Sequence, residues 1–179
     1  KILLLTLCIS LTYNAVAQTI NLEIPLPEEK NITKGVLENG LTYYLHNTSV
    51  TKDVASYYII QNVGSVLEKD NQQGLAHFLE HMAFNGTKDF PGKGILNKMQ
   101  EHGLVLGKDI NAFTSFDETV YNINNIPTTP ELIDTGLSIL QNWSNYLSLT
   151  EEEIDSERGV IKEEWRTRQN GGMRVLQQT

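Results

Sequence analysis

The chain has 179 residues, 40% of them hydrophobic and 20% charged, with a formal net charge of −8. That is enough apolar material for one domain with a real core. The acidic balance, with no Lys/Arg cluster, argues against a nucleic-acid surface.

Lys1 precedes the apolar run from Ile2 to Leu11, and Ala15-Val16-Ala17 has the small-x-small form of a signal-peptidase site. Residues 1–17 read as an export signal, so the mature chain begins at Gln18. The apolar run is too short to span a bilayer, and no membrane span is expected in the mature chain. Cys8, the single cysteine, lies inside the signal, behind Leu7 where a lipoprotein signal carries a small residue. The mature region therefore has no thiol, no disulfide and no Cys-type metal site. Any metal must be held by His and carboxylate. An exported chain without disulfides points to a bacterial periplasm.

Residues 18–34, with Pro25 and Pro27, read as an extended linker, and residues 35–179 as one domain. Asn39-Gly40 between Val36–Glu38 and Leu41–His46 is a strong hairpin signal. Val54 to Val63, rich in β-branched and aromatic residues, reads as a central strand. Gly74 opens a helix to about Phe84, closed by Asn85-Gly86. A second helix runs from Gly94 to Glu101. Asp109–Phe116 and Thr119–Ile126 read as antiparallel strands around an Asp117-Glu118 turn. Thr129 to Leu147 is amphipathic, with Pro130 in its first turn. Thr150 and Glu153 form a capping box for a last helix over Glu151–Arg168. Trp143 and Trp165 read as packing anchors, and His46 and His102 carry no chemistry.

Strand pairs alternating with helix pairs define an α+β class: an antiparallel β-sheet with helices packed on one face. The chain has no initiator Met and stops at Thr179 in a polar segment, so it reads as the leading part of a larger protein, its domain truncated at the C-terminus.

The chemistry centres on His77-Phe78-Leu79-Glu80-His81, the inverted zinc-peptidase pattern H-x-x-E-H. On a helix, positions i and i+4 share a face, so both imidazoles can reach one cation. Glu80, beside that face, can hold a metal-activated water. A catalytic zinc site needs a third protein ligand, and the last helix offers Glu157, Glu163 and Glu164. Glu157 and Glu164 are two turns apart and share a face with Val160 and Ile161, which should turn toward the core. A carboxylate aimed into a core is costly unless paired or metal-bound. Glu163 lies round the helix and should be solvated. A solvent-facing Glu164, or an ion pair between Glu157 and a neighbouring Arg, are the plainer alternatives.

The run Gly74 to Thr87, Gly-Leu-Ala-His-Phe-Leu-Glu-His-Met-Ala-Phe-Asn-Gly-Thr, resembles the first metal helix of the pitrilysin/insulinase family of zinc metallopeptidases, which includes the mitochondrial processing peptidase. Glu157 to Glu164 is similar to that family's E-x6-E segment, and Asp109-Ile110-Asn111-Ala112-Phe113-Thr114 to its substrate-binding strand. The resemblance runs from about Gly35 to Arg168. Phe90-Pro91-Gly92 and Glu163-Glu164-Trp165-Arg166 are similar to the large bacterial periplasmic members of the PqqL type. The resemblance implies one zinc ion held by His77, His81 and Glu164. It implies Glu80 as general base and Glu157 as a supporting carboxylate of the catalytic site.

An extended peptide can add as a strand to a sheet edge. If Asn111, Ala112 and Phe113 form that edge, the scissile bond would lie next to the metal, with Phe113 lining a side-chain pocket. The resemblance further implies a clamshell that selects unfolded peptides. Its second half, in the same polypeptide or in a homologous subunit, would supply an Arg and a Tyr for the transition state, so this segment alone should cleave poorly. A non-catalytic structural or binding subunit, and a metal-binding module without turnover, are the rival functions.

Overall fold

The computed structural model describes residues 29–48 and 50–168. The stretch read as an export signal, Cys8, most of the expected linker and the segment after Arg168 lie outside the described residues. The chain divides into two compact units, one ending at Ser49 and the other beginning at Val50.

In the first unit, β1 (Ile32–Val36) and β2 (Thr42–His46) pair antiparallel. Gly40, at φ 88°, makes the turn that the Asn-Gly pair announces, and the Asn39 side chain accepts from Leu41 N at 3.1 Å. The first strand starts at Ile32, so the last three linker positions, 32–34, are in fact strand.

The second unit runs β3 (Val54–Gln61), two short 3-10 turns, α1 (Leu75–Met82), α2 (Gly94–Gln100), β4 (Ile110–Thr114), β5 (Thr119–Pro127), α3 (Pro130–Asn145) and α4 (Glu151–Arg168). Its sheet is antiparallel in the order β3-β5-β4. β3, expected at the centre, is therefore an edge strand among the described residues, and β5 takes the middle. An apolar run reports which faces suit burial, not how many edges pair. Here Tyr57 and Ile59 pack on the core while Tyr58 and Ile60, pointing the other way, are exposed.

α3 packs on β3 and β5, and α1 on β4 and β5. Ile110, Tyr121, Ile123 and Ile126 of the sheet region meet Ile95, Leu96 and Met99 of α2 and Leu132, Ile139 and Trp143 of α3. Trp143 is the anchor expected of it. Its indole stacks on Tyr121 at 5.3 Å and donates to the carbonyl of Ala83 at 3.1 Å, which fixes the C-terminal end of α1. Trp165 is not an anchor: it is 65% exposed, as Val160 is at 50%. α4 meets α1 along the stripe 157, 161 and 164, one residue every three or four, and positions 160 and 165 fall beside it.

Threonines cap both α3 and α4, and the Thr150 cap is the expected one. Thr129 accepts from Leu132 N at 3.4 Å with Pro130 following it, and Thr150 accepts from Glu153 N at 3.3 Å. Helix α1 begins differently. Gly74 sits at φ 89°, a left-handed conformation in which a side chain costs about 1–2 kcal/mol. It has no side chain to cap with. Glu68, six residues upstream, accepts from Gly74 N and Ala76 N, each at 2.7 Å. That carboxylate satisfies two of the helix's free amides and complements its positive end.

Candidate metal centre

One turn of α1 separates His77 from His81, and their rings stand edge to face with centroids 4.7 Å apart. Their Nε2 atoms are 3.2 Å apart. Glu164 on α4 brings Oε2 to 3.5 Å from Nε2 of His77 and 3.4 Å from Nε2 of His81. Three electron-rich atoms from two distant stretches of chain thus meet in a near-equilateral triangle. Donors bound at about 2.0–2.2 Å to a tetrahedral ion stand about 3.3–3.6 Å from one another. The His₂Glu set, half-buried, fits zinc in both chemistry and spacing.

The orientation of these donors is set from behind. Nδ1 of His81 lies 2.8 Å from Oε1 of Glu157. A carboxylate there draws the ring proton to Nδ1 and leaves the Nε2 lone pair facing the triangle. Glu157 is the buried residue of α4, and it pairs with His81 and Asn85, not with an Arg. Burial pushes its carboxyl upward, but hydrogen bonds from Asn85 and His81, with the charge of Lys93, outweigh that and hold it below the usual glutamate value. Oε1 of Glu164 is paired with Arg168 one turn on, which turns Oε2 toward the imidazoles. Glu163 is exposed, as expected, and bridges to Arg166 at 2.6 and 2.9 Å.

Glu80 lies on the sheet side of the triangle. Its Oε2 accepts from Thr114 Oγ1 at 2.5 Å, which ties the helix to the end of β4. Glu80, His81, Asn111 and Ala112 line one open cavity of about 290 Å³, walled by Phe84, Leu96 and Leu106. Phe113 lies outside it and is half exposed. The pocket expected of Phe113 is therefore not this one. β4 pairs with β5 and ends the three-stranded sheet, so its other edge is where a further strand would add. Negative charge on Glu80 and, more strongly, burial both push the Tyr121 phenol upward, so that ring stays neutral.

Glu68, Lys93 and Arg168 lie outside the motif runs, and Asn85 and Thr114 lie inside them without an assigned role, yet each touches or braces the site. The weak signal for Asn85 and Lys93 was a polar side chain beside a glycine, and for Thr114 one at a strand end; Asn85 and Thr114 pair with residues far away in the chain.

A helix carrying H-x-x-E-H on an antiparallel sheet, met by a carboxylate from a second helix, defines a zinc-peptidase architecture. The chain belongs to the insulinase family, peptidase family M16, whose pattern it matches over residues 43–177. It is similar to the probable zinc protease PqqL of Escherichia coli, 40% identical over 152 residues, which are 85% of this chain and 16% of that protein. Its counterpart in Haemophilus influenzae is 37% identical over 150 residues, 84% of this chain and 16% of that one. The crystal structure of the periplasmic E. coli protein superposes with a TM-score of 0.79, covering 85% of this chain and 17% of that one. A structure of the ferredoxin protease FusC in complex with Arabidopsis ferredoxin is 31% identical, with a TM-score of 0.74, covering 82% and 16%. The chain thus spans about one sixth of the length of these relatives. No helix among the described residues is long and apolar enough to cross a membrane.

Proposed function

We propose that this chain is the active-site segment of an exported, periplasmic zinc endopeptidase that hydrolyses peptide bonds in unfolded peptides or small proteins. His77, His81 and Glu164 would hold a single zinc ion, and Glu80 would act as general base. Bound zinc supplies Lewis acidity that brings the pKa of water toward neutrality and polarises a peptide carbonyl. The observation carrying this reading is the triangle of Nε2, Nε2 and Oε2 at 3.2, 3.5 and 3.4 Å, with a carboxylate on the same helix lining the adjoining cavity.

Each side chain has a definable task. Glu80 takes a proton from water as its oxygen bonds to the carbonyl carbon, then gives that proton to the amine as the C–N bond breaks. Thr114 holds one Glu80 oxygen, so the other is the free acceptor. Glu157 keeps His81 in the useful tautomer. Asn111 and Ala112 would align the substrate as an added strand along β4, reading main chain more than sequence. Partners would be peptide substrates and a second half, in the same polypeptide or in a homologous subunit, closing over the site.

Replacing Glu80 by Gln tests the assignment in the full-length protein. The expected result is unchanged zinc content with hydrolysis of a quenched fluorescent peptide reduced by about 10³-fold or more, since the acceptor for the water proton is gone. A variant that kept its turnover would reject Glu80 as the base. Wild-type protein that binds zinc and cleaves nothing would instead favour a binding subunit or a metal store.

A further inference from the structure

From Glu157 the polar chain continues through Asn85 to Lys93, along the wall of the same cavity and out to solvent. Asn85, buried just after α1, donates from Nδ2 to the second oxygen of Glu157. Its own Oδ1 accepts from Nζ of Lys93. The amide has only one possible orientation here. Lysine has donors alone and an ionised carboxylate acceptors alone, so oxygen faces Lys93 and nitrogen faces Glu157. We propose that Lys93 and Asn85 are positioning residues, a relay running Lys93–Asn85–Glu157–His81 that locks the imidazole of the second metal ligand. This rests on the zinc assignment above.

Backbone geometry brings the relay together. Gly86, next to Asn85, sits at φ 141°, and a Cβ there would come within 3.0 Å of the Gly92 nitrogen. Only glycine lets the two turns pass so closely, and Lys93 follows Gly92 directly. Lys93 caps α2 by position and its side chain reaches back over the turn. The consequence for the site is orientational. Glu157 has both oxygens occupied, one by His81 at 2.8 Å and one by Asn85, so the carboxylate cannot rotate. A buried anion is also costly without compensation, and Lys93 is the cation at the end of the line. Remove it, and the Asn85 Oδ1 loses its donor, leaving Glu157 alone to hold the amide; a flipped amide would set oxygen against oxygen there.

The test uses the full-length protein, with zinc affinity measured by competition against a chromophoric chelator. Lys93→Met should bind zinc about 10-fold more weakly, the lower end for partners that orient metal ligands. Its cooperative thermal unfolding in chelator should persist, which separates a change in zinc affinity from loss of the fold. Lys93→Arg, which keeps the charge-assisted hydrogen bond, should stay within about threefold of wild type. Asn85→Leu should lose about 10- to 100-fold, and adding Lys93→Met to it should cost nothing more, because one link of the chain is already cut. Wild-type affinity in Lys93→Met, or losses that simply multiply in the double variant, would overturn the relay. Failure of the zinc assignment looks different: His77→Ala would then bind as wild type does, and the relay would fall with it.

Discussion

Glu164 is one of three glutamates within an eight-residue stretch, and what separates their roles is the partner each finds on its own turn of helix. Glu163 is occupied on the solvent side by Arg166, whose two nitrogens reach its two oxygens at 2.9 and 2.6 Å; that pairing holds its carboxyl below the usual value. Glu157 is occupied inward by His81 and Asn85. Glu164 alone has one oxygen paired with Arg168 and the other aimed at both imidazoles. Accordingly Glu164→Gln should weaken zinc by more than about 100-fold, beyond what loss of an orienting partner costs. Glu157→Gln should fall inside that lower range, and Glu163→Gln should be silent by the same chelator titration. If Glu163→Gln proved the damaging change, the third ligand would be misassigned. The helical period was enough to put 157 and 164 on one face and 163 off it. It could not tell that Glu157 would find Asn85, 72 residues back in the chain, because such a contact depends on how α4 packs against α1.

At the level of elements, α1 is a platform that must be held at both ends. Trp143 holds the C-terminal end through the Ala83 carbonyl, and Glu68 holds the N-terminal end through two amides. The helix spans only eight residues, too few to be stable by itself. Glu68→Ala should cost about 1–2 kcal/mol, the upper part of the range for losing an N-terminal cap, as read by urea unfolding. Glu68→Gln should recover part of it through its remaining acceptor. An Ala variant as stable as wild type would show that packing alone positions α1. The contrast with the other helices explains what was legible. Thr129 and Thr150 lie within three residues of the amides they accept from, so their caps could be read directly from order in the chain. Glu68 reaches its amides only because a 3-10 turn at Asp70–Gln72 folds the chain back. Strand order was likewise hidden. The β5 and β3 sequences are both apolar enough to be central, and only pairing decides between them.

For the molecule as a whole, the site joins two elements that are otherwise weakly bound to each other. α3 and the sheet share a continuous apolar core, whereas α4 is largely charged and Glu157 is its buried residue among those described. Its attachment to α1 is therefore chiefly polar: the Glu157 bonds to His81 and Asn85 and the Glu164 oxygen facing two imidazoles. Without a cation, that last contact sets a carboxylate oxygen against two ring Nε2 atoms at 3.4 and 3.5 Å. A zinc ion held as proposed would convert it into three attractive bonds and would bind the folded arrangement in preference to the unfolded one. Zinc at about 100 times its Kd then adds about 2.7 kcal/mol. The stabilisation should be local, because the core of β5 and α3 has no part in it. Stripping zinc from the full-length protein should accelerate amide hydrogen exchange over α4 and the first turns of α1. Exchange in β5 and α3 should stay within error. Glu164→Gln should already show fast exchange in α4 with zinc present, and chelator should change it little. Uniform acceleration across every element would mean that the metal supports the global fold instead, and α4 would have to be held by contacts other than these polar ones.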